Sequence, residues 1–172
     1  MRTALILTLV TIVTAHAATA GTPRPSSWTK TRALTSSATA MLADATERSS
    51  VVQSLLQDLE RTDVVVYVSD SMSGTPDELP AYLQFVSYAA GMRYLLVRVD
   101  SWKLAPSDRT IWLGHELQHA LEVAAAPDVR DAAGLALLYR RIGFEGQKGR
   151  FDSQGARMTE TRVRNELTGH GR

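Results

Sequence analysis

The chain has 172 residues, 19 Lys+Arg against 18 Asp+Glu, a formal net charge of +1 and no cysteine. That length suits one domain with a real hydrophobic core. The near-balanced charge argues against a nucleic-acid binder, which carries a strong basic excess. The missing cysteine excludes disulfides, thiol catalysis and cysteine-based zinc sites.

Residues 1–20 read as an export signal. Arg2 supplies the positive start, and Ala4 to Val13 is an apolar run too short to span a bilayer comfortably. Ala15-His16-Ala17 and Ala18-Thr19-Ala20 both fit a small-residue cleavage site. The expectation is a secreted or periplasmic protein with no membrane span after signal removal. Residues 21–45 read as a leader of uncertain structure: Gly21, Pro23, Pro25, Ser26 and Ser27 loosen its start, and the stretch 31–45 is rich in Ala, Thr and Ser. The folded domain is expected over 46–168.

From Thr46 to Glu60 the apolar residues Val51, Val52, Leu55, Leu56 and Leu59 recur at helical spacing. Val64 to Val68 is a β-branched run and predicts a buried strand. Ser71 to Pro80 contains Gly74, Pro76 and Pro80 and predicts a loop. Tyr82 to Tyr88 fits a strand or a short helix, and Arg93 to Asp100 predicts a second strand. A helix follows, capped by Ser107 or Asp108 and stopped by Pro127. Leu113, Leu117, Ala120, Leu121 and Ala124 form its core-facing stripe, with His115, Glu116 and His119 beside that stripe. The next helix runs from Asp128 to Arg141 and ends at Gly143. Gly146 and Gly149 keep the following stretch a loop. Phe151-Asp152-Ser153 leads into a last helix ending near Leu167.

Residues 115–119 read His-Glu-Leu-Gln-His, an H-E-x-x-H pentapeptide. Of the four histidines in the chain, His16 falls in the signal and His170 in the last three residues. The body of the protein therefore keeps two, both in this motif. Positions i and i+4 share one face of a helix, one turn apart. Two imidazoles so placed can grip one Zn²⁺, and the Glu between them can reach a metal-bound water. The plainer alternative is two surface histidines. Against it stand the mid-helix position, the apolar flanks and a strand just upstream, which suits a protease that binds its substrate as an added strand. A Ser-His-Asp hydrolase has no histidine outside the motif to use as base. No nucleotide-binding glycine motif is present.

Over Gly114 to Val123 (GHELQHALEV) the chain resembles the zincin metallopeptidases, and more loosely a group of short, exported bacterial H-E-x-x-H proteins. The resemblance implies an α+β, zincin-like fold. That fold is a small, twisted, mostly antiparallel sheet packed on the motif helix, with further C-terminal helices, one offering a third ligand. It implies zinc bound by His115 and His119, with Glu116 as the general base acting on a zinc-bound water. The activity implied is that of an exported metallopeptidase with a peptide or protein substrate. The longer pattern that adds x-x-G-x-x-H is absent, since Val123 to Ala126 supply neither Gly nor His.

Candidates for the third ligand are Glu122, Glu145, Asp152 and Glu160. Glu122 lies seven residues from His115, roughly 10 Å along the helix axis, and reads as a partner behind the histidines or a surface acid. Asp152 sits in Phe-Asp-Ser-x-x-Ala, where the exported group carries a Phe-acid-Thr/Ser-x-x-Ala element, often with Glu. The resemblance therefore favours Asp152, whose plainer role is a helix N-cap. Glu145 comes next, and Glu160 reads as an exposed helix residue. Tyr139, Arg140 and Arg141 can donate to an oxyanion, although a packed Tyr and two solvated arginines are the simpler reading. Trp102 and Trp112 read as core or rim packing. Two rivals stand beside the hydrolase: a zinc-stabilised, non-catalytic scaffold or binding protein, and a metal-free structural module. Substrate and oligomeric state are not legible in the residues.

Overall fold

Short β-branched runs and capped helices share out the chain. The computed structural model describes residues 28–70, 79–145 and 151–169. In order the elements are β1 (Thr31–Ala33), α1 (Ser36–Arg48), α2 (Ser50–Leu59), β2 (Val64–Ser69), β3 (Ala81–Ala89), β4 (Met92–Val99), α3 (Pro106–Ala124), α4 (Ala132–Ile142), β5 (Gly143–Glu145), β6 (Phe151–Ser153) and α5 (Gln154–Thr168). The segments expected to be a signal and the start of a leader, most of the expected 71–80 loop, Gly146, Gly149 and His170 lie outside the described residues.

The main sheet has the order β1-β2-β4-β3, and β5 and β6 form a separate two-stranded ribbon. β1 pairs parallel with β2 and β2 parallel with β4; only β3 runs antiparallel, against β4. The architecture is thus α+β with a mixed sheet, not the mostly antiparallel sheet expected. The reason is the connection between β1 and β2. It passes through α1 and α2, and a helical crossover returns the chain in the same direction. β3 and β4 are joined by Ala90 and Gly91, both at positive φ, as a two-residue hairpin turn requires. Val86 is an extra residue in the β3 ladder, between Phe85 and Ser87.

Alternation along the strands sets the core. Val64, Val66 and Val68 of β2 stand in register with Arg93, Leu95 and Val97 of β4, all buried. α3 contacts β2, β3 and β4, and also α1, α2 and α5. The motif helix is therefore wrapped on nearly every side. Leu113, Leu117 and Ala120 are buried as expected, whereas Leu121 and Ala124 are only half-buried. His115, Glu116 and His119 are as buried as the apolar stripe itself. α5 covers them from one direction and approaches closely at Gly114, where a Cβ would meet Val163 Cγ2 at 3.0 Å.

Several boundaries differ from expectation. Residues 31–45 are not a loose leader. They supply β1 and most of α1, and Ala38, Leu42 and Ala45 join the core. The domain therefore begins before Thr46. The helix expected over 46–60 is two helices hinged at Ser49. The Ser49 N–H closes α1 on Ala45 O, while its side chain opens α2 by accepting from Val52 N. Residues 82–88 resolve as strand. α3 starts at Pro106 behind Ala105, with no side-chain cap, so Ser107 and Asp108 lie in its first turn. α4 starts late because Asp131 caps it, accepting from Gly134 N at 2.7 Å. No helix among the described residues is long and apolar enough to cross a membrane.

Candidate metal centre

The motif helix is held at its far end by Arg93. Its buried guanidinium pairs with Asp63 and donates to Val123 O at 2.5 Å, Ala126 O at 2.7 Å and Ala124 O at 3.1 Å. These carbonyls belong to the last turn of α3 and the residues just beyond, where the regular helical bonds run out; Val123 O and Ala126 O also accept from Ala126 N and Val129 N. β4 thus fixes the height at which the motif sits below the sheet.

His115 and His119 are 5% and 6% exposed, and their rings meet edge to face with centroids 4.8 Å apart. The β6–α5 junction brings in Asp152. Ser153, not Asp152, caps α5, accepting from Ala156 N at 3.0 Å. Freed from that job, Asp152 turns toward α3. Its Oδ1 lies 3.4 Å from His115 Nε2 and 3.8 Å from His119 Nε2. One ligand atom from each of the three residues falls within 4.8 Å of the others. Tetrahedral ligands held about 2.1 Å from a zinc ion stand about 3.4 Å apart. Two imidazoles and a carboxylate at these distances can hold a metal ion, and the donor set is one zinc accepts.

Acidic residues stand behind the imidazoles. His119 Nδ1 bonds Glu122 Oε2 at 2.8 Å. His115 Nδ1 is buried and makes no hydrogen bond among the described residues; Glu160 Oε2 is 3.6 Å away, at ion-pair distance only. Asp152 is braced on both oxygens: Oδ1 accepts from Ser153 N at 2.7 Å, and Oδ2 from Arg157 Nε at 2.7 Å. The Arg157 guanidinium in turn lies over the Phe144 ring.

Burial and charge tune the group. Burial and the neighbouring His119 pull His115 below its ordinary value, favouring the neutral ring that metals bind. Burial also pulls on His119, but its bond to Glu122 and the carboxylates of Glu116, Glu122 and Asp152 outweigh it and hold this ring above the ordinary value. Glu116 is 4% exposed. Burial, aided by Asp152 and Glu122 and opposed by His119, pushes its carboxyl up to about 7. A carboxyl so placed exchanges its proton near neutral pH, which suits acid–base work.

The expected residues therefore divide cleanly. His115, His119 and Asp152 come together, and Glu116 is buried on the same helix, where His119 and Asp152 act on its charge. Glu122 sits behind His119, as read. Glu160 is not a free surface acid, because α5 carries it to within 3.6 Å of His115. Glu145 lies in β5 opposite Phe151, and its side chain is outside the described residues. Trp112 packs its ring 5.2 Å from that of His115, but Trp102 is 90% exposed and packs in no core. Arg140 and Arg141 are exposed. Tyr139 is the residue that the sequence undervalued. Its ring packs 4.9 Å from that of His119, and its buried hydroxyl has no hydrogen-bond partner among the described residues. Burial first, then Glu122, Glu116 and Asp152, raise its pKa, so the phenol stays protonated. The signal available was its place on the helix after the motif. No protein-family model, curated protein or solved structure matches the chain.

Proposed function

We propose that the protein is an exported, zinc-dependent hydrolase of zincin-like type, acting on peptide bonds. The observation that carries this reading is the convergence of His115 Nε2, His119 Nε2 and Asp152 Oδ1 beside the buried carboxyl of Glu116. His115, His119 and Asp152 would hold the zinc, which would supply a Lewis acid and an activated water. The protein's own groups do the rest. His115 and His119 present their Nε2 atoms, each with an acid behind its Nδ1. Asp152 closes the set from α5. The carboxylate of Glu116 takes the proton of the attacking water and returns it to the leaving amine. Tyr139 packs its ring on His119, and its buried hydroxyl, without a hydrogen-bond partner among the described residues, can donate to a developing oxyanion. β3 ends the sheet and contacts α3, so an extended peptide paired to that edge is brought alongside the motif helix.

The test is a Glu116→Gln protein. It retains bound zinc and loses peptide hydrolysis by at least a thousandfold; a variant that keeps zinc and full turnover rules the mechanism out. The second reading is a zinc-stabilised binding protein without turnover. The deep burial of both imidazoles and Glu116 favours it, since little of the site meets solvent. Chelation that lowers the melting temperature of a protein inert toward every peptide offered supports that reading instead.

A further inference from the structure

We propose that Glu122 is a positioning residue that locks His119 and Asp152 into one preset pair. This rests on the reading of His115, His119 and Asp152 as a metal-binding set. The two oxygens of Glu122 do separate jobs. Oε2 faces His119 Nδ1 at 2.8 Å, and Oε1 accepts from Ser153 Oγ at 2.5 Å. A carboxylate only accepts, so Nδ1 carries a proton and Nε2 is the ring nitrogen turned to Asp152, the one left to bind a metal. Ser153 is the residue after Asp152, and its N–H donates to Asp152 Oδ1 at 2.7 Å. Its hydroxyl also caps α5. Hydrogen bonds therefore run from His119 through Glu122 and Ser153 to Asp152. The circuit closes across the 3.8 Å between Asp152 Oδ1 and His119 Nε2.

A second, independent observation points the same way. A Cβ at Gly155 would meet Glu122 Oε1 at 2.8 Å. Glycine at that position leaves open the space that the Glu122 carboxylate fills. Any larger residue there pushes the far end of Glu122 aside, with no backbone in the way at that distance. The arrangement also accounts for a short aspartate as third ligand: the Glu122–Ser153 bond draws the β6–α5 junction against α3, close enough for Asp152 to reach.

Two variants separate positioning from mere support. Glu122→Gln keeps size but removes the charge behind His119 Nδ1, and with its oxygen on that nitrogen its amide can meet Ser153 Oγ only as a donor, which reverses the second link. Gly155→Ala leaves every polar group in place and displaces the carboxylate. Zinc affinity is measured by competition with a chromophoric chelator, and the coordination geometry is read from the visible absorption of the cobalt(II) form. The expected result is a loss of affinity of about 10–100-fold in each variant. A weakened, shifted cobalt spectrum should accompany it, with far-ultraviolet circular dichroism unchanged. If Glu122→Gln does not fold, Gly155→Ala carries the test alone. Wild-type affinity and an unaltered cobalt spectrum in the variants, with at most a lower melting temperature, overturn the inference while leaving the metal site standing. A wild-type protein that takes up neither zinc nor cobalt overturns the underlying site, and this inference with it.

Discussion

Glu116→Gln has a second consequence, opposite in sign to its effect on activity. The Glu116 carboxyl is moved from an ordinary 4.5 to about 7 in the metal-free fold, chiefly by burial. A group whose folded pKa is raised contributes fully below its unfolded pKa, and that contribution is lost as pH rises through the folded value. At pH 5 the folded chain holds the proton and the unfolded chain about a quarter of it, so the penalty is only about 1 kcal/mol. At pH 8 the unfolded chain is ionised and the folded one must ionise a buried group. The shift of roughly 2.5 units then costs about 3 kcal/mol. Gln has nearly the same shape and no charge to bury. Metal-stripped Glu116→Gln should therefore melt roughly 10 °C above wild type at pH 8, but only a few degrees above it at pH 5. Differential scanning calorimetry in a chelating buffer reads both values. A difference that is the same at the two pH values, or a destabilised variant at pH 8, refutes the reasoning. The combination of higher stability with lost hydrolysis marks a residue kept for function at a structural cost.

Other perturbations test the frame around the site. Arg93→Met removes the guanidinium from three carbonyls at the end of α3 and leaves the Asp63 carboxylate without its partner; a loss of about 3 kcal/mol by urea unfolding is expected, together with weaker metal binding as the motif helix loosens. Glu166 accepts from Ser49 Oγ at 2.6 Å and from the Ser50 hydroxyl, tying α5 to the start of α2; Glu166→Ala should lower stability by about 1 kcal/mol, seen as a lower urea midpoint with unchanged slope. The hydrogen bond and charge of Arg93 hold Asp63 below its ordinary 3.8, against the pull of burial. Its contribution is present above that value and disappears as pH falls through the lower folded value. Asp63→Asn should accordingly flatten the acid limb of a melting-temperature profile below pH 4 and change little else in its shape.

Much of the frame is written in local pattern. β2, β4, α3 and α5 follow from β-branched runs, alternation and capping residues, and the motif pair sits where its spacing puts it. β1 and α1 escaped because Thr31 to Ala45 mixes small and polar residues. The buried face of α1 does keep a helical period, Ala38, Met41, Leu42 and Ala45, but two of the four are alanines, which stand out little from their Thr and Ser neighbours, and β1 is too short to show alternation. Strand direction was misjudged because alternation along a strand is the same in either orientation. Asp152 was reachable only by resemblance, since nothing in its own neighbourhood separates a ligand from a helix cap. The structure separates them by giving the cap to Ser153. Glu160 and Tyr139 were named but ranked low for a related reason. Each is drawn to the histidines by packing between helices, α5 on α3 and α4 beside it, which residue spacing within one helix does not encode.

The central claim is that His115, His119 and Asp152 hold one divalent metal ion. Elemental analysis of purified, zinc-supplemented protein tests it most directly. The account predicts one zinc per chain, retained through gel filtration and lost from the His115→Ala/His119→Ala double variant. Wild-type protein that elutes without zinc, or a double variant that retains as much as wild type, contradicts it.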